Sequence, residues 1–432
     1  MRCDYSCRTL EHGLSRRSFL RSAAGVGLGA LAIGGGVPGD ASWLSPAVAN
    51  EMRKSQKRIL TIFLHGGVSQ LESWDPKPNT DTGGPFRPIA TSVPGMQICE
   101  LLPYTAKQMH HLSLVRSINT KNGSHGTGAV QMQTGHNDMG APHPHLGAII
   151  AKQLTPERFP LPGHILIRGA GSSRSSGAFL GPRYSSVTLE DGKAPQHSEL
   201  PAALSLSSEE RRQEFRRLAN DRFAGKRRTA DTDAYTYSYE QARQLMAERD
   251  VFDVTKEPAR DQQRYGAHEF GQHCLLARRL LEKGVPFVQV NHSNYDTHFE
   301  NFDYHIEQLG EFDRPFATLV ADLHDRGLLK DTLIVVMSEF GRTPKINSRY
   351  GRDHWGTAWS VCLGGAGLQA GAVIGKTNAN GTAVADREVD HGHLFHTYLQ
   401  AVGIDSTDSF NIAGRKYPVA DPSKGPIKEL LA

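Results

Sequence analysis

An unbroken apolar run at residues 333–337 constrains this chain more than any other feature. A run of this length without polar alternation is typical of a β-strand that is covered on both faces, as in a parallel sheet between layers of helices. Residues 338–344 then contain a glycine and a proline, which prevent a regular continuation. Glu339 and Arg342 therefore lie just past the carboxyl end of a central strand. Ligands of open α/β sheets bind at that edge, so the sequence predicts an α/β fold with a site there.

More ionisable residues follow in the segment Gly-Arg-Asp-His-Trp, residues 351–355. Asp353 and His354, together with Glu339, are side-chain types that bind divalent metal ions, whereas Arg342 and Arg352 suit an anion. The alternative is an ordinary loop with surface salt bridges. We favour a site, because ionisable groups at this density beside a strand end usually mark one.

Two other predicted strands end in the same way. The apolar run at residues 59–64 leads into a His-Gly-Gly turn, and the run at residues 284–290 leads into a polar segment. In a parallel sheet with right-handed crossovers, the carboxyl ends of the strands share one edge. Mixed carboxylate and imidazole ligands favour one or two divalent metal ions, zinc, manganese or iron rather than calcium, which prefers oxygen ligands alone. The candidate metal ligands are His65, Asp75, Asp296, His298, Glu339, Asp353 and His354.

A glycine-rich turn at residues 122–128 leads into a predicted short helix. Backbone amides at a helix start can hold an anion, and Ser124 or His125 would then point at it. The alternative is a plain turn in which Ser124 caps the helix. Both interpretations stay open at this point.

The amino-terminal residues are predicted to be an export signal and not part of the fold. A twin-arginine motif at residues 15–20 is followed by a Gly- and Ala-rich apolar run and by an Ala-x-Ala motif that ends at Ala49. This order is typical of a Tat signal peptide, and the apolar run is too short and too rich in glycine to span a bilayer stably. We expect recognition of residues 1–49 by the Tat export machinery, cleavage after Ala49, no stable membrane span afterwards, and a periplasmic or secreted protein. An uncleaved anchor is the alternative.

Residues 199–265 are predicted to form a helical insertion in the main domain, residues 50–432. The segment is highly charged in its central part, and Ser207 and Glu210 have the spacing of a capping box. Its arginines are typical of a solvated helix face. An insertion of this kind could act as a lid.

Charge and cysteine content narrow the classes of function. The net charge of +4 comes without a basic stripe interleaved with aromatic residues, so no nucleic-acid partner is expected. Two of the five cysteines fall in the predicted export signal. The other three, Cys99, Cys274 and Cys362, are well separated and are expected to be buried small hydrophobic residues. The alternative is that two of them form one disulfide bridge.

Several short motifs together resemble one protein family. They are Leu-His-Gly-Gly (64–67), Trp-Asp-Pro-Lys-Pro (74–78), Asp-Thr-His (296–298), Ser-Glu-Phe-Gly-Arg-Thr-Pro (338–344) and Gly-Arg-Asp-His-Trp (351–355). With the Tat signal, this set resembles the bacterial exported proteins of domain of unknown function family 1501. Residues 332–339 are also similar to the strand region of sulfatases, members of the alkaline phosphatase superfamily. The resemblance implies an α/β, alkaline-phosphatase-like three-layer sandwich with a mostly parallel central sheet, and a metal site.

The resemblance also implies roles for individual residues. The superfamily has a metal-binding Asp directly after the first strand, and His65 occupies that slot here, with Glu72 and Asp75 shortly after it. The remaining metal slots correspond to Asp296, His298, Glu339 and His354. The nucleophile of sulfatases stands nine residues before a Thr-Gly pair, and counting back from Thr134 reaches His125, with Ser124 beside it. Ser124 as an alkoxide, a metal-bound water, or no catalysis at all are the resulting possibilities.

Two functions follow from these patterns. The first is an exported metal-dependent hydrolase of phosphate or sulfate esters, acting on a small anionic ester or on a sulfated or phosphorylated polymer. Its predicted catalytic residues are Ser124, His125, Arg342 and Arg352. The second is a catalytically degenerate binding or scaffold protein that retains the same fold.

Overall fold

The structure, a computed structural model, describes residues 56–137, 142–156, 159–168, 176–190, 192–194, 199–201, 203–224 and 230–431. The predicted Tat signal and its cleavage motif at Ala49 lie outside these ranges. Within them, no helix combines the length and the apolar character needed to cross a membrane.

The β-strands of the described residues form one large sheet and several two-stranded ribbons. They are β1 (Arg58–Leu64), β2 (Pro88–Ala90), β3 (Gln97–Cys99), β4 (Leu112–Ile118), β5 (His164–Arg168), β6 (Val187–Glu190), β7 (Phe287–His292), β8 (Thr332–Met337), β9 (Gly341–Arg342), β10 (His354–Trp355), β11 (Trp359–Gly365), β12 (Val373–Ile374), β13 (Lys376–Thr377), β14 (Val384–Asp386), β15 (Ser409–Ile412) and β16 (Arg415–Pro418).

The α-helices are α1 (Pro103–Ala106), α2 (His125–Thr134), α3 (Leu146–Leu154), α4 (Leu206–Ala224), α5 (Ala230–Ala247), α6 (Ala259–Tyr265), α7 (Glu269–Glu282), α8 (Asn301–Asp325) and α9 (His391–Ala401). Three of them, α4, α5 and α6, lie in the predicted insertion. The first of these begins at Leu206, because the Ser205 hydroxyl accepts a hydrogen bond from the Ser208 amide at 3.2 Å. The predicted capping box at Ser207 is therefore wrong by two residues.

The large sheet has the strand order β12-β4-β11-β8-β1-β7-β5-β6. Its β11 runs antiparallel to both neighbours, β4 and β8, and all other pairs are parallel. Alternate residues of β1 point to opposite sides of the sheet, and helices cover both of these faces. Leu60 and Ile62 pack in one hydrophobic core with α7 and α8, and Ile59 and Phe63 pack in a second core with α3 and α9. The predicted layered α/β fold with a mostly parallel sheet is confirmed.

The register of the central strands determines where the site lies. The β1 strand runs between β7 and β8, with Leu64 beside His292 and Phe63 beside Met337. The loops that follow these three strands therefore leave the sheet side by side. The three cysteines predicted to be buried, Cys99, Cys274 and Cys362, are indeed buried, and all are free thiols.

Candidate metal centre

The loops after β1 and β7 pass each other in direct contact. Gly66 has a φ of +115°, and a Cβ atom at this position would lie 2.5 Å from the backbone nitrogen of Asp296. Only glycine tolerates both this conformation and this approach. The contact brings His65, which is half-buried, and Asp296 to the same edge of the sheet.

Three of the predicted metal ligands, Asp296, His298 and His354, form a compact group that we call the ligand triad. Asp296 Oδ1 lies 3.1 Å from His354 Nε2 and 3.2 Å from His298 Nε2, and the two Nε2 atoms are 2.9 Å apart. Two donors at tetrahedral angles, about 2.0 Å from a zinc-sized ion, are separated by about 3.3 Å. The triad therefore has the dimensions of one face of such a coordination sphere.

The second nitrogen of each imidazole shows how the triad is oriented. His298 Nδ1 lies 2.7 Å from Asp353 Oδ1, and His354 Nδ1 lies 2.7 Å from the carbonyl oxygen of Gly123. Carboxylates and carbonyls accept hydrogen bonds, so both Nδ1 atoms donate and both Nε2 atoms present lone pairs. Two lone pairs and a carboxylate oxygen that face one another at about 3 Å repel unless a cation, either a metal ion or a proton, neutralises them.

Arg342 holds the carboxylate of the triad. Its guanidinium donates to Asp296 Oδ1 at 2.6 Å, to the Gly67 carbonyl at 2.8 Å, to the Arg352 carbonyl at 3.0 Å and to the Gly66 carbonyl. Burial alone would raise the pKa of Asp296, but the hydrogen bond and the positive charge of Arg342 hold this pKa at about 2. Since Arg342 is fully buried and bonded to protein atoms, its predicted contact with a substrate anion is not available in this arrangement.

A second group of predicted residues adjoins the triad. The buried Glu339 accepts hydrogen bonds at Oε1 from His125 Nδ1 at 2.7 Å and from the Gly66 amide at 2.9 Å. Burial would raise the pKa of Glu339, but His125 and the nearby His65 imidazole lower it. His125 Nε2 lies 3.3 Å from Asp296 Oδ2 without a hydrogen-bond partner. His125, Asp296 and His354 can each offer a ligand atom within 4.8 Å of the others.

Ser124 stands at the amino-terminal end of α2 without capping it. Asn122 takes over the local hydrogen bonds, because its Oδ1 accepts from the Ser124 amide at 3.0 Å and from the Thr127 hydroxyl at 3.1 Å. The Ser124 side chain is exposed. Its neighbours Gly123 and His125 both contact the triad, as described above.

The remaining predicted residues lie outside the triad. Asp75 Oδ2 accepts from the Thr377 hydroxyl at 2.5 Å, and its Oδ1 pairs with Lys77 at 3.0 Å. Arg352 is fully buried and forms a bidentate ion pair with the equally buried Glu72 at 2.7 and 3.0 Å. The Asp353 carboxylate contacts His298 Nδ1, the ring nitrogen that does not face the other two members of the triad. The structure thus gives Asp75 and Arg352 other partners than the predicted metal and anion.

Phe340 is a site residue that sequence reasoning did not single out. Its buried ring packs against the imidazoles of His125 and His354, with centroids 4.8 and 4.4 Å away. Gly67 is required beside it, because a Cβ there would lie 2.6 Å from the ring. An apolar wall of this kind limits access of water to a metal site. The signal in the sequence was the aromatic residue that directly follows Glu339.

The role of Asp353 leads to a testable prediction. Asp353→Asn should weaken divalent-metal affinity by about 10- to 100-fold, because His298 loses the carboxylate that fixes its tautomer and ring orientation. Competition with a chromophoric chelator measures the affinity. Asp325→Asn is the matched control, since Asp325 pairs with His324 at 3.3 Å on the surface. Equal affinity in both variants would contradict the orienting role.

The chain is similar to one protein family and to several solved structures. A family model described as Protein of unknown function (DUF1501) matches residues 56–431. The chain is similar to the solved structure of PsFucS1 sulfatase from Pseudoalteromonas sp., at 13% identity and a TM-score of 0.39, covering 87% of this chain and 74% of that one. It is also similar to alkaline phosphatase from the Antarctic bacterium TAB5, at 12% identity and a TM-score of 0.37, covering 81% and 98%. The curated proteins contain no match.

Proposed function

The chain belongs to the family described as Protein of unknown function (DUF1501), and from this premise we propose that it is a metal-dependent hydrolase of phosphate or sulfate esters. In this proposal residues 1–49 direct export through the Tat pathway to the periplasm or the exterior. Residues 50–432 form the hydrolase domain, with residues 199–265 as its helical insertion.

The ligand triad is the observation that carries the proposal. Its three donor atoms converge within 3.2 Å, both imidazoles are held by acceptors at Nδ1, and Arg342 fixes the carboxylate. Histidines that bind a metal almost always have such a second set of contacts, which fix the tautomer and the orientation of the ring. Imidazole and carboxylate donors favour zinc, manganese or iron.

The chemistry follows from residues around the triad. A divalent ion bound there would neutralise charge on an ester oxygen and lower the pKa of a water molecule. Ser124 is the candidate nucleophile, because its hydroxyl is exposed and not used as a helix cap. Glu339 holds the Nδ1–H of His125, which leaves Nε2 as the acceptor for the proton that the nucleophile loses.

A specific observation supports the scaffold alternative. Both arginines predicted to bind the substrate anion have fully buried guanidinium groups that are bonded to protein atoms. A catalytically degenerate relative that retained only the binding surface would show the same arrangement. The two functions differ in whether the protein holds a metal ion and turns over an ester.

Metal analysis of the mature protein, produced through its own Tat signal, tests the proposal. We expect elemental mass spectrometry to find one or two equivalents of zinc, manganese or iron, and 4-nitrophenyl phosphate or sulfate to be hydrolysed. A chelator should abolish this hydrolysis, and the metal should restore it. Folded protein without metal, which takes up none on titration, would favour the scaffold alternative.

The same assay separates the possible nucleophiles. Ser124→Ala should retain its metal and lose most of its turnover if the serine attacks the ester. Full turnover in this variant would assign the attack to water. Ser92→Ala, which removes a hydroxyl bonded to His110 at 3.0 Å, serves as the control.

A further inference from the structure

Two exposed aromatic residues belong to the chain segments that carry the ligand triad. Phe299, which is 40% exposed, directly follows His298, and Tyr350 is 72% exposed. The loop of Tyr350 is held against the segment of Phe299, because the Glu300 amide donates to the Arg349 carbonyl at 3.1 Å and Asn347 donates to the His298 carbonyl at 3.0 Å. Both residues therefore lie in adjacent loops that carry His298 and His354, and these loops form the rim of the site.

Packing does not account for a tyrosine at position 350. Its φ is +56°, a conformation that glycine and asparagine adopt readily and that a bulky residue adopts only with strain. Its side chain is 72% exposed and forms no hydrogen bond or ring contact with another described residue. An aromatic residue that is mostly exposed and does not suit its backbone conformation points to a ligand outside the chain.

Arg349 completes the rim. Its guanidinium lies 5.0 Å from the centre of the Phe299 ring and forms no ion pair with any described carboxylate. We call Phe299, Arg349 and Tyr350 the aromatic ledge. The exposed Glu300 directly follows Phe299 in the chain, so the charge here is mixed, unlike the basic surfaces that bind nucleic acids or anionic membranes.

Rings accompanied by planar polar groups of both charges suit a carbohydrate. The C–H face of a sugar ring packs on an aromatic face, while guanidinium and carboxylate groups bind its hydroxyls. The triad side chains are 47%, 38% and 25% exposed for Asp296, His298 and His354. Sites for small molecules enclose most of their ligand, so this open site fits an extended substrate.

We propose that the aromatic ledge binds a sugar unit of a sulfated or phosphorylated glycan whose ester group lies at the ligand triad. The inference rests on the proposed function, since it names the substrate class of the same site. The ledge supplies binding and orientation, while the triad and Ser124 supply the chemistry.

Sulfated polymers with and without sugar rings test this proposal. The probes are dextran sulfate, dextran phosphate and heparin, with polyvinyl sulfate as a charged polymer that lacks rings. Phe299→Ala and Tyr350→Asn are measured in the metal-loaded protein. Asparagine tolerates the backbone conformation of Tyr350, so this variant should not lower the Tm. Phe215→Ala on α4, where the ring is 73% exposed, is the control for loss of an exposed aromatic side chain.

We expect at least one charged glycan to bind more tightly than polyvinyl sulfate, and each ledge variant to weaken glycan binding by about tenfold. The ratio of kcat/KM for the glycan to that for a 4-nitrophenyl ester should fall by a similar factor. The control should match the wild type in every assay.

Different results would contradict the proposed ledge and the proposed hydrolase function. If no ester is hydrolysed, the binding measurements still test the ledge. Glycan binding that weakens in Phe299→Ala and Tyr350→Asn would then support the ledge without the hydrolase. If esters are hydrolysed but the ledge variants bind glycans like the wild type, the ledge is overturned and the hydrolase stands. The ledge would also be overturned if its variants lost as much affinity for polyvinyl sulfate as for the glycans. The same holds if their kcat/KM fell as much for the small ester as for the glycan.

Discussion

Replacing His298 and His354 together by alanine is expected to strip the protein of its divalent metal and to lower ester hydrolysis by on the order of 10³-fold or more. The variant removes two of the three donors of the ligand triad, and Asp296 with the adjoining His125 offers too few ligands to hold an ion tightly. The estimate follows from several kcal/mol of lost charge stabilisation in the transition state. Elemental analysis and initial rates on a 4-nitrophenyl ester are measured on the same sample.

The control for this variant is a second histidine pair. His110→Ala with His111→Ala removes two rings whose centroids are 4.0 Å apart, at a place where no candidate metal group occurs among the described residues. This pair of substitutions should leave metal content and rate unchanged. If the triad variant keeps its metal and its rate while circular dichroism shows a folded protein, the site assignment is wrong.

The sheet edge could be predicted because its signals are local. Each of the three strands is an apolar run that ends in a turn, and the right-handed crossover rule places such ends together. This reasoning found the segments of Asp296, His298 and His354 without any contact information. It could not rank the ligands, because Asp75 follows the same strand as His65 yet pairs with Thr377, far along the chain.

The roles of the arginines depend on burial, which short-range patterns do not reveal. An exposed Arg342 beside a strand end would bind an anion, whereas the buried Arg342 of the structure orients Asp296. Asp353 has a side chain of a type that binds metal ions, but its carboxylate contacts the Nδ1 of His298 and not the Nε2 that faces the rest of the triad. Residue type therefore indicated that a metal centre is plausible, while the division into ligands and supporting groups needed the fold.

The ion pair of Glu72 and Arg352 joins residues that are widely separated in sequence and is fully buried on both sides. Arg352 also donates to the carbonyls of Thr82 at 2.8 Å and Thr343 at 3.1 Å, and Glu72 accepts from Asn301 at 3.0 Å. These contacts connect the loop after β1 with the loop that carries His354. Neither side chain contacts the triad, so the pair affects the site through loop position.

Arg352→Met is expected to lower the free energy of unfolding by about 3–5 kcal/mol, because the Glu72 carboxylate stays buried without its partner. Urea denaturation measures the change. Arg349→Met, three residues earlier in the same loop, removes an exposed guanidinium and should change stability by no more than about 0.5 kcal/mol. Adding Glu72→Gln to Arg352→Met should recover part of the loss, since no charge is then buried alone.

The pH dependence checks the same ion pair independently. Burial alone would raise the pKa of Glu72, but Arg352 and His305 hold it below its ordinary value in the folded protein. A lowered pKa in the folded state adds stability above the pKa of the unfolded chain, and this stability is lost as the pH falls through the folded value. The wild type should therefore lose stability on acidification more steeply than Arg352→Met. Parallel stability curves for the two proteins would mean that the pair is not ionised in the folded state, and the large effect of Arg352→Met would then need another origin.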